Sequence, residues 1–261
     1  MKIFKTTLSI LFTLTLTIVI TPIFLFDSFL IKGESMYPTL HDGQRVIVNK
    51  LLMGARIYKD FDFSKPTLSS FRLPGFRKPV PGDMVVFNYP YPDSSGKIHF
   101  RINHVFAKRC IGTPGDTIAI HNGYYKNSSA PEKILGDEHR QRMLYRRPDF
   151  VLKRDSSLAF YTLSPPGEHT WTIKDFGPMY IPSAGDSIEL TQKNIFLYGK
   201  LIEYETSSMP MTEISPFYGK YVFKENYYFL AGDNVFNSND SRYIGLIPED
   251  FIIGIITCRI P

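Results

Sequence analysis

The chain of 261 residues contains only two cysteines, Cys110 and Cys258, and a single tryptophan. Two cysteines cannot build a disulfide scaffold. Both lie in apolar, strand-like surroundings, which predicts buried free thiols and leaves one disulfide as the alternative. Charge of one sign is not in large excess: 30 basic and 25 acidic residues give a net charge of +5. With no zinc-knuckle, helix-turn-helix or RNA-recognition pattern, that balance excludes a nucleic-acid partner and reads as ordinary surface charge with attraction to anionic lipid. No Cys/His group has metal-ligand spacing, so neither a metal nor another cofactor is expected. Internal repeats, low-complexity tracts and, beyond residue 60, long stretches of 3.6-residue periodicity are also missing. What is present is 43% hydrophobic and 15% aromatic residues, enough for a substantial core.

One long apolar run stands out. Thr6 to Phe26 is 21 residues without a charge, long enough as a helix to cross about 30 Å of hydrocarbon. Lys2 and Lys5 precede it, and the flank from Asp27 to Glu34 is nearly neutral. The positive-inside bias then predicts a membrane anchor with its amino terminus in the cytoplasm and the rest of the chain outside. A cleaved secretory signal fits less well, because the run is long and Asp27-Ser28-Phe29 is a poor cleavage site.

After the anchor, short runs rich in β-branched and aromatic residues alternate with Pro/Gly turns. Residues 45–50, 83–89, 102–111 and 251–256 read as strands, and the fold class is mainly β. Residues 55–80, with Phe61, Phe63, Phe71 and Phe76 among several prolines, read as a long aromatic loop beside the anchor. Residues 121–226, with the basic runs Arg140-Gln141-Arg142 and Arg146-Arg147, read as a separate inserted region with a solvated face.

Two residues carry chemistry. Ser35 sits in Gly33-Glu34-Ser35-Met36-Tyr37-Pro38-Thr39-Leu40, nine residues past the apolar run, and so within about 30 Å of a bilayer surface. Lys108 lies on a predicted strand whose one face reads Phe100, Ile102, His104, Phe106, Lys108, Cys110. A lysine among apolar side chains is unusual. Burial disfavours its ammonium, and an amine brought from about 10.4 toward neutrality can deprotonate a hydroxyl. Snorkelling or a salt bridge is the ordinary alternative. His104, four residues earlier on the same predicted face, is a competing base.

A third polar segment joins these two: Gly232-Asp233-Asn234, followed by Asn237-Ser238-Asn239-Asp240-Ser241-Arg242. With the serine segment, Pro81-Gly82-Asp83-Met84-Val85-Val86-Phe87 and Lys108-Arg109-Cys110-Ile111-Gly112-Thr113-Pro114-Gly115-Asp116, it gives four blocks that resemble, in order, the conserved boxes of the bacterial signal peptidase I family. The quoted blocks cover about an eighth of the chain. It implies a membrane-anchored Ser/Lys endopeptidase that removes signal peptides from exported preproteins after small-x-small sites. The implied fold is an N-terminal transmembrane helix (1–27), then a catalytic core of coiled antiparallel sheets (28–120 and 227–261) with an inserted non-catalytic subdomain (121–226).

The resemblance also implies roles. Ser35 is the nucleophile and Lys108 the general base; Ser238 orients the lysine amine, and Asp240 and Arg242 pair to hold the turn. The Ser35 N–H is one oxyanion donor. Phe29, Ile31, Met36, Leu40, Phe106 and Ala107 would form shallow apolar pockets for an extended peptide. Partners are preproteins and the lipid bilayer, the expected state is a monomer, and the catalytic domain lies on the extracytoplasmic side of the cell membrane. Two departures stand out: Gly33 occupies a position that some relatives use for a second oxyanion donor, and Val235-Phe236 replace a usually polar pair. A self-cleaving repressor of related Ser/Lys chemistry would begin with a DNA-binding domain, and a dead peptide-binding domain would lack Ser35 or Lys108.

Overall fold

The computed structural model describes residues 6–7, 10–15, 17, 21–59, 70–206 and 219–260. Residues 10–15 are helical and Thr21–Leu25 form a π-helical turn. Among the described residues no helix is long and apolar enough to cross a membrane; the expected anchor falls partly outside them. Its last residue, Phe26, belongs to a strand instead. β1 (Phe26–Leu30) pairs antiparallel with β2 (Arg45–Asn49), and Asp27 forms an ion pair with Lys50 at 2.8 Å.

The residues expected as a loop from 55 to 80 include a hairpin of β3 (Arg56–Tyr58) and β4 (Ser70–Arg72). Phe61 and Phe63 lie outside the described residues. Next come β5 (Met84–Asn88), β6 (Val105–Gly112), β7 (Thr117–His121) and β8 (Tyr124–Asn127). β6 starts three residues later than expected, because residues 100–104 turn rather than extend, so His104 precedes the strand that carries Lys108.

Residues 121–226, the stretch expected as an insertion and called so below, contain helices α1 (Glu138–Arg146), α2 (Asp149–Arg154) and α3 (Gln192–Thr206), with β9 (Phe176–Tyr180), β10 (Ser187–Glu189) and β11 (Lys220–Val222). α3 was not expected. Its sequence QKNIFLYGKLIEYET mixes aromatic, β-branched and glycine residues, which individually disfavour helix. Its buried Leu197, Tyr198, Leu201 and Ile202 nevertheless recur at the i, i+4 spacing of one helix face. Packing decides here over propensity.

The chain closes with β12 (Tyr227–Ala231), the short helix α4 (Ser241–Ile244), β13 (Ile247–Pro248) and β14 (Ile252–Ile260). Seven strands form one antiparallel sheet in the order β1-β2-β14-β5-β6-β12-β13. A smaller sheet, β8-β7-β9, and the hairpin β10-β11 belong mainly to the insertion.

Two apolar clusters hold this arrangement. The larger runs from the sheet (Val85, Phe87, Phe229, Ile252) into the insertion (Ile118, Trp171, Phe176, Ile202), with Trp171, Phe176 and Phe229 in successive ring contacts at 4.6 and 5.5 Å. The smaller cluster (Ile31, Met36, Leu40, Val46, Val48, Val86, Ile256) fills the space beneath the Ser35 segment. Cys110 is a buried free thiol, its pKa pushed up by burial. Cys258 is free as well, but exposed: near its end β14 turns both faces to solvent.

Candidate active site

Ser35 lies in a tight turn between β1 and β2. Gly33 opens it at φ +78°, a left-handed conformation that favours glycine, and its N–H donates to Asp42 Oδ1 at 2.6 Å. Below the turn, Met36 and Leu40 are fully buried and anchor it to the smaller apolar cluster. From the other side Asn234 holds it by two bonds: its N–H donates to the Ser35 carbonyl (3.0 Å) and its Nδ2 to the Glu34 carbonyl (3.1 Å).

Lys108 points to the same place from the middle of β6. It is 1% exposed, and its Nζ donates to Ser35 Oγ at 2.6 Å and to the Ala107 carbonyl at 3.1 Å. Among the described residues no carboxylate reaches it within salt-bridge distance. Burial therefore brings its pKa down to about 8; Asp240 and Asp233 oppose that shift, and Arg242 adds to it. The Phe106 ring lies 5.4 Å from the amine.

The turn from 232 to 245 is built on paired charge. Arg242 binds Asp240 with two hydrogen bonds (2.9 and 2.8 Å), and both side chains are essentially inaccessible. Asp240 also caps α4 and accepts from the Gly232 N–H, while Arg242 donates to the Val235 carbonyl. A second pair lies next to it: Arg109 binds Asp233 at 2.7 and 2.6 Å, Thr39 donates to the same carboxylate at 2.5 Å, and Arg109 reaches the Gly82 carbonyl. Asp233, Arg109, Thr39 and Asn234 thus tie all four sequence blocks together. Sequence reasoning gave them no role, although each lies inside a quoted block.

Gly232 is needed for close approach. A Cβ there would fall 2.3 Å from Ser238 Oγ and 2.4 Å from the Ser35 carbonyl oxygen. Ser238 borders the same cleft, but the expected bond to the lysine amine is not made: among the described residues the amine donates only to Ser35 Oγ and the Ala107 carbonyl, and Ser238 Oγ has no hydrogen-bond partner. The buried Ser238 hydroxyl stabilises the Asp240 carboxylate from a position short of hydrogen-bond geometry.

The cleft is about 700 Å³. One wall is the chain from Phe29 to Met36 and the other is Ile102 to Lys108, with Asn237 to Asn239 at the end. Of the expected pocket residues, Phe29, Ile31, Met36, Phe106 and Ala107 line it. Leu40 does not: at 0% exposure it belongs to the core below. β12 pairs with β6 only from Arg109 onward, so the backbone of residues 105–108 leaves one edge open along the cleft. His104 packs its ring at a tilt against Tyr89 and Phe106 and makes no hydrogen bond to Ser35.

A family model described as signal peptidase, peptidase S26, matches residues 4–260. The chain belongs to the signal peptidase family. It is similar to the signal peptidase I of Buchnera aphidicola subsp. Baizongia pistaciae, with 27% identity over 247 residues, 93% of this chain and 72% of that protein. It is also similar to the signal peptidase I of Pseudomonas aeruginosa PAO1, with 27% identity over 88% of this chain and 63% of that protein. A crystal structure of a signal peptidase I from Enterococcus faecalis V583 aligns at a TM-score of 0.33 and 20% identity, covering 69% of this chain and 98% of that one. The activity of the chain is accordingly that of a signal peptidase I, a serine endopeptidase, and membership accounts for four separated blocks meeting at one cleft.

Proposed function

We propose that Ser35 is the nucleophile and Lys108 the general base of this signal peptidase, acting on preproteins at the outer surface of a cell membrane. The observation that carries this is the 2.6 Å bond between the serine hydroxyl and a buried lysine amine that has no carboxylate partner among the described residues. At a pKa of about 8, about a tenth of the amine is neutral at pH 7, against well under a thousandth for an ordinary lysine. The neutral amine takes the Oγ proton as Oγ attacks the scissile carbonyl, then returns it to the leaving amine. Ser238, unpaired before reaction, receives the ammonium that forms. Asp240 and Arg242 hold the turn in shape.

The Ser35 N–H makes no hydrogen bond among the described residues and is the first oxyanion donor. Gly33 is not the second, since its N–H is committed to Asp42. The substrate adds as a strand along the open edge of residues 105–108. Its small side chains enter the shallow wells formed by Phe29, Ile31, Met36, Phe106 and Ala107, and cleavage follows a small-x-small site. The charge-free run Thr6–Phe26 anchors the chain, with its amino terminus cytoplasmic and the catalytic cleft outside, as a monomer in the bilayer that holds its substrates. Exposed Phe26, the last residue of this run, and exposed Leu30, on the same strand, favour the interface.

The test is cleavage of a preprotein in detergent. Ser35→Ala and Lys108→Ala each abolish it, and activity retained in either rules the dyad out. In the unaltered enzyme the rate rises with pH through about 8, because the neutral amine is the active form. A limb near 6.5 would make His104 the base.

A further inference from the structure

We propose that the insertion positions the active site without joining its chemistry: through Arg140 and Arg147, α1 clamps the turn that carries Ser35 and the turn that carries Ser238. The inference rests on the assignment of Ser35 and Lys108 above. Helix α1 is firmly seated. Asp137 caps its start, Gln141 is 1% exposed and bonded to the Leu135 carbonyl and the Tyr125 N–H, and Leu144 is fully buried.

From this fixed base the two ends reach in different directions. At the start, the Arg140 guanidinium lies 4.7 Å from the centre of the Tyr37 ring, two residues after Ser35. Just past the end, the Arg147 guanidinium lies 4.9 Å from the Phe236 ring, two residues before Ser238. Phe236 is half of the pair that departs from the family's polar residues. Its ring gives Arg147 a face to stack on, where a charged side chain would offer a point contact or repel it.

Other contacts run the same way. Leu163 N–H donates to the Arg242 carbonyl at 2.8 Å, Tyr243 OH donates to the Ala159 carbonyl at 2.7 Å, and Tyr125 of β8 is buried beside the Asp240–Arg242 pair. The insertion therefore braces from outside the nucleophile turn and the 234–239 turn, which Asn234 already joins directly, while touching neither the substrate nor the reacting atoms. Arg140 and Arg147 are positioning residues.

The test is steady-state cleavage by the full-length enzyme in detergent with Arg140→Ala, Arg147→Ala, Phe236→Leu and the Arg147→Ala/Phe236→Leu double variant. Each stacking contact is expected to be worth about a twofold to fivefold fall in kcat, with KM and the thermal midpoint nearly unchanged. Arg140→Lys and Arg147→Lys, tested alongside, keep most of the rate, since an ammonium also binds a ring face. The acid limb of each alanine variant moves upward, because a looser site admits water to Lys108. The double variant falls no further than its worse single parent, the signature of a direct contact. Unchanged kcat in both alanine variants, or fully additive losses at 147 and 236, overturns the clamp. Ser35→Ala in the same assay separates the two levels: an inactive Ser35→Ala with unaffected arginine variants removes the clamp and keeps the dyad, whereas an active one removes the dyad itself.

Discussion

The turn from 232 to 245 and the strand β6 both bury charge, and they do so in opposite ways. In the turn each buried ion has a bidentate partner, Asp240 with Arg242 and Asp233 with Arg109. In the strand, Lys108 is equally inaccessible and has only a hydroxyl and a carbonyl. Pairing keeps ions charged and makes them structural, and the Asp240 carboxylate is held below its ordinary range by Arg242 despite its burial. Isolation makes an ion reactive, because the only relief for a buried unpaired ammonium is to lose its proton. The two environments are adjacent, and the first fixes the geometry that the second uses.

This contrast breaks most visibly at Asp240. Asp240→Ala leaves Arg242 charged and buried without a partner, which is expected to destabilise the fold by about 3–5 kcal/mol. Urea denaturation measures it, and a loss below 1 kcal/mol would mean that the pair is not structural. Next in size is Gly232→Ala. Its new Cβ forces the Ser35 carbonyl and Ser238 apart, and a displacement of about 1 Å is expected to lower kcat by about a hundredfold. The readout is kcat at saturating preprotein; an unchanged value would show that the two turns move independently.

The smallest effect has the opposite sign. Lys108→Met, inactive, is expected to be more stable than the unaltered protein by about 1–3 kcal/mol at pH 7, since an apolar side chain of similar length replaces a buried ammonium. The sign follows from linkage. The unfolded chain binds a proton at Lys108 up to about 10.5 and the folded chain only up to about 8. The native enzyme therefore gains stability as pH rises between these values, while the Met variant does not. Thermal midpoints from pH 7 to 10.5 should converge. Parallel curves would mean that Lys108 is not strained by its burial.

Much of this site was legible before any coordinates. The four blocks could be read from residue types and their order, and the resemblance they carry pointed to Ser35, Lys108 and a pairing of Asp240 with Arg242, which the structure brings within hydrogen-bond distance. The limits are equally informative. The suspicion over Lys108 rested on strand alternation through residues 100–110, yet only Val105–Gly112 is strand; the lysine's burial comes from what packs over it. Leu40 and Met36 look alike as apolar neighbours of Ser35, and only packing puts one in the core and the other also in the cleft wall. Helix α3 was missed because its local preferences oppose the state that burial imposes. The stacking of Arg140 on Tyr37 and of Arg147 on Phe236 joins residues about a hundred positions apart, which no local pattern encodes.

The sequence by itself determined which atoms can react: a hydroxyl, an amine, and the carboxylates and guanidinium groups that pair nearby. Tertiary structure decided their state. It set a 2.6 Å contact, withheld a carboxylate from Lys108 and left an open strand edge beside it. Chemical identity is a property of one residue, whereas dielectric, distance and alignment are properties of everything packed around it.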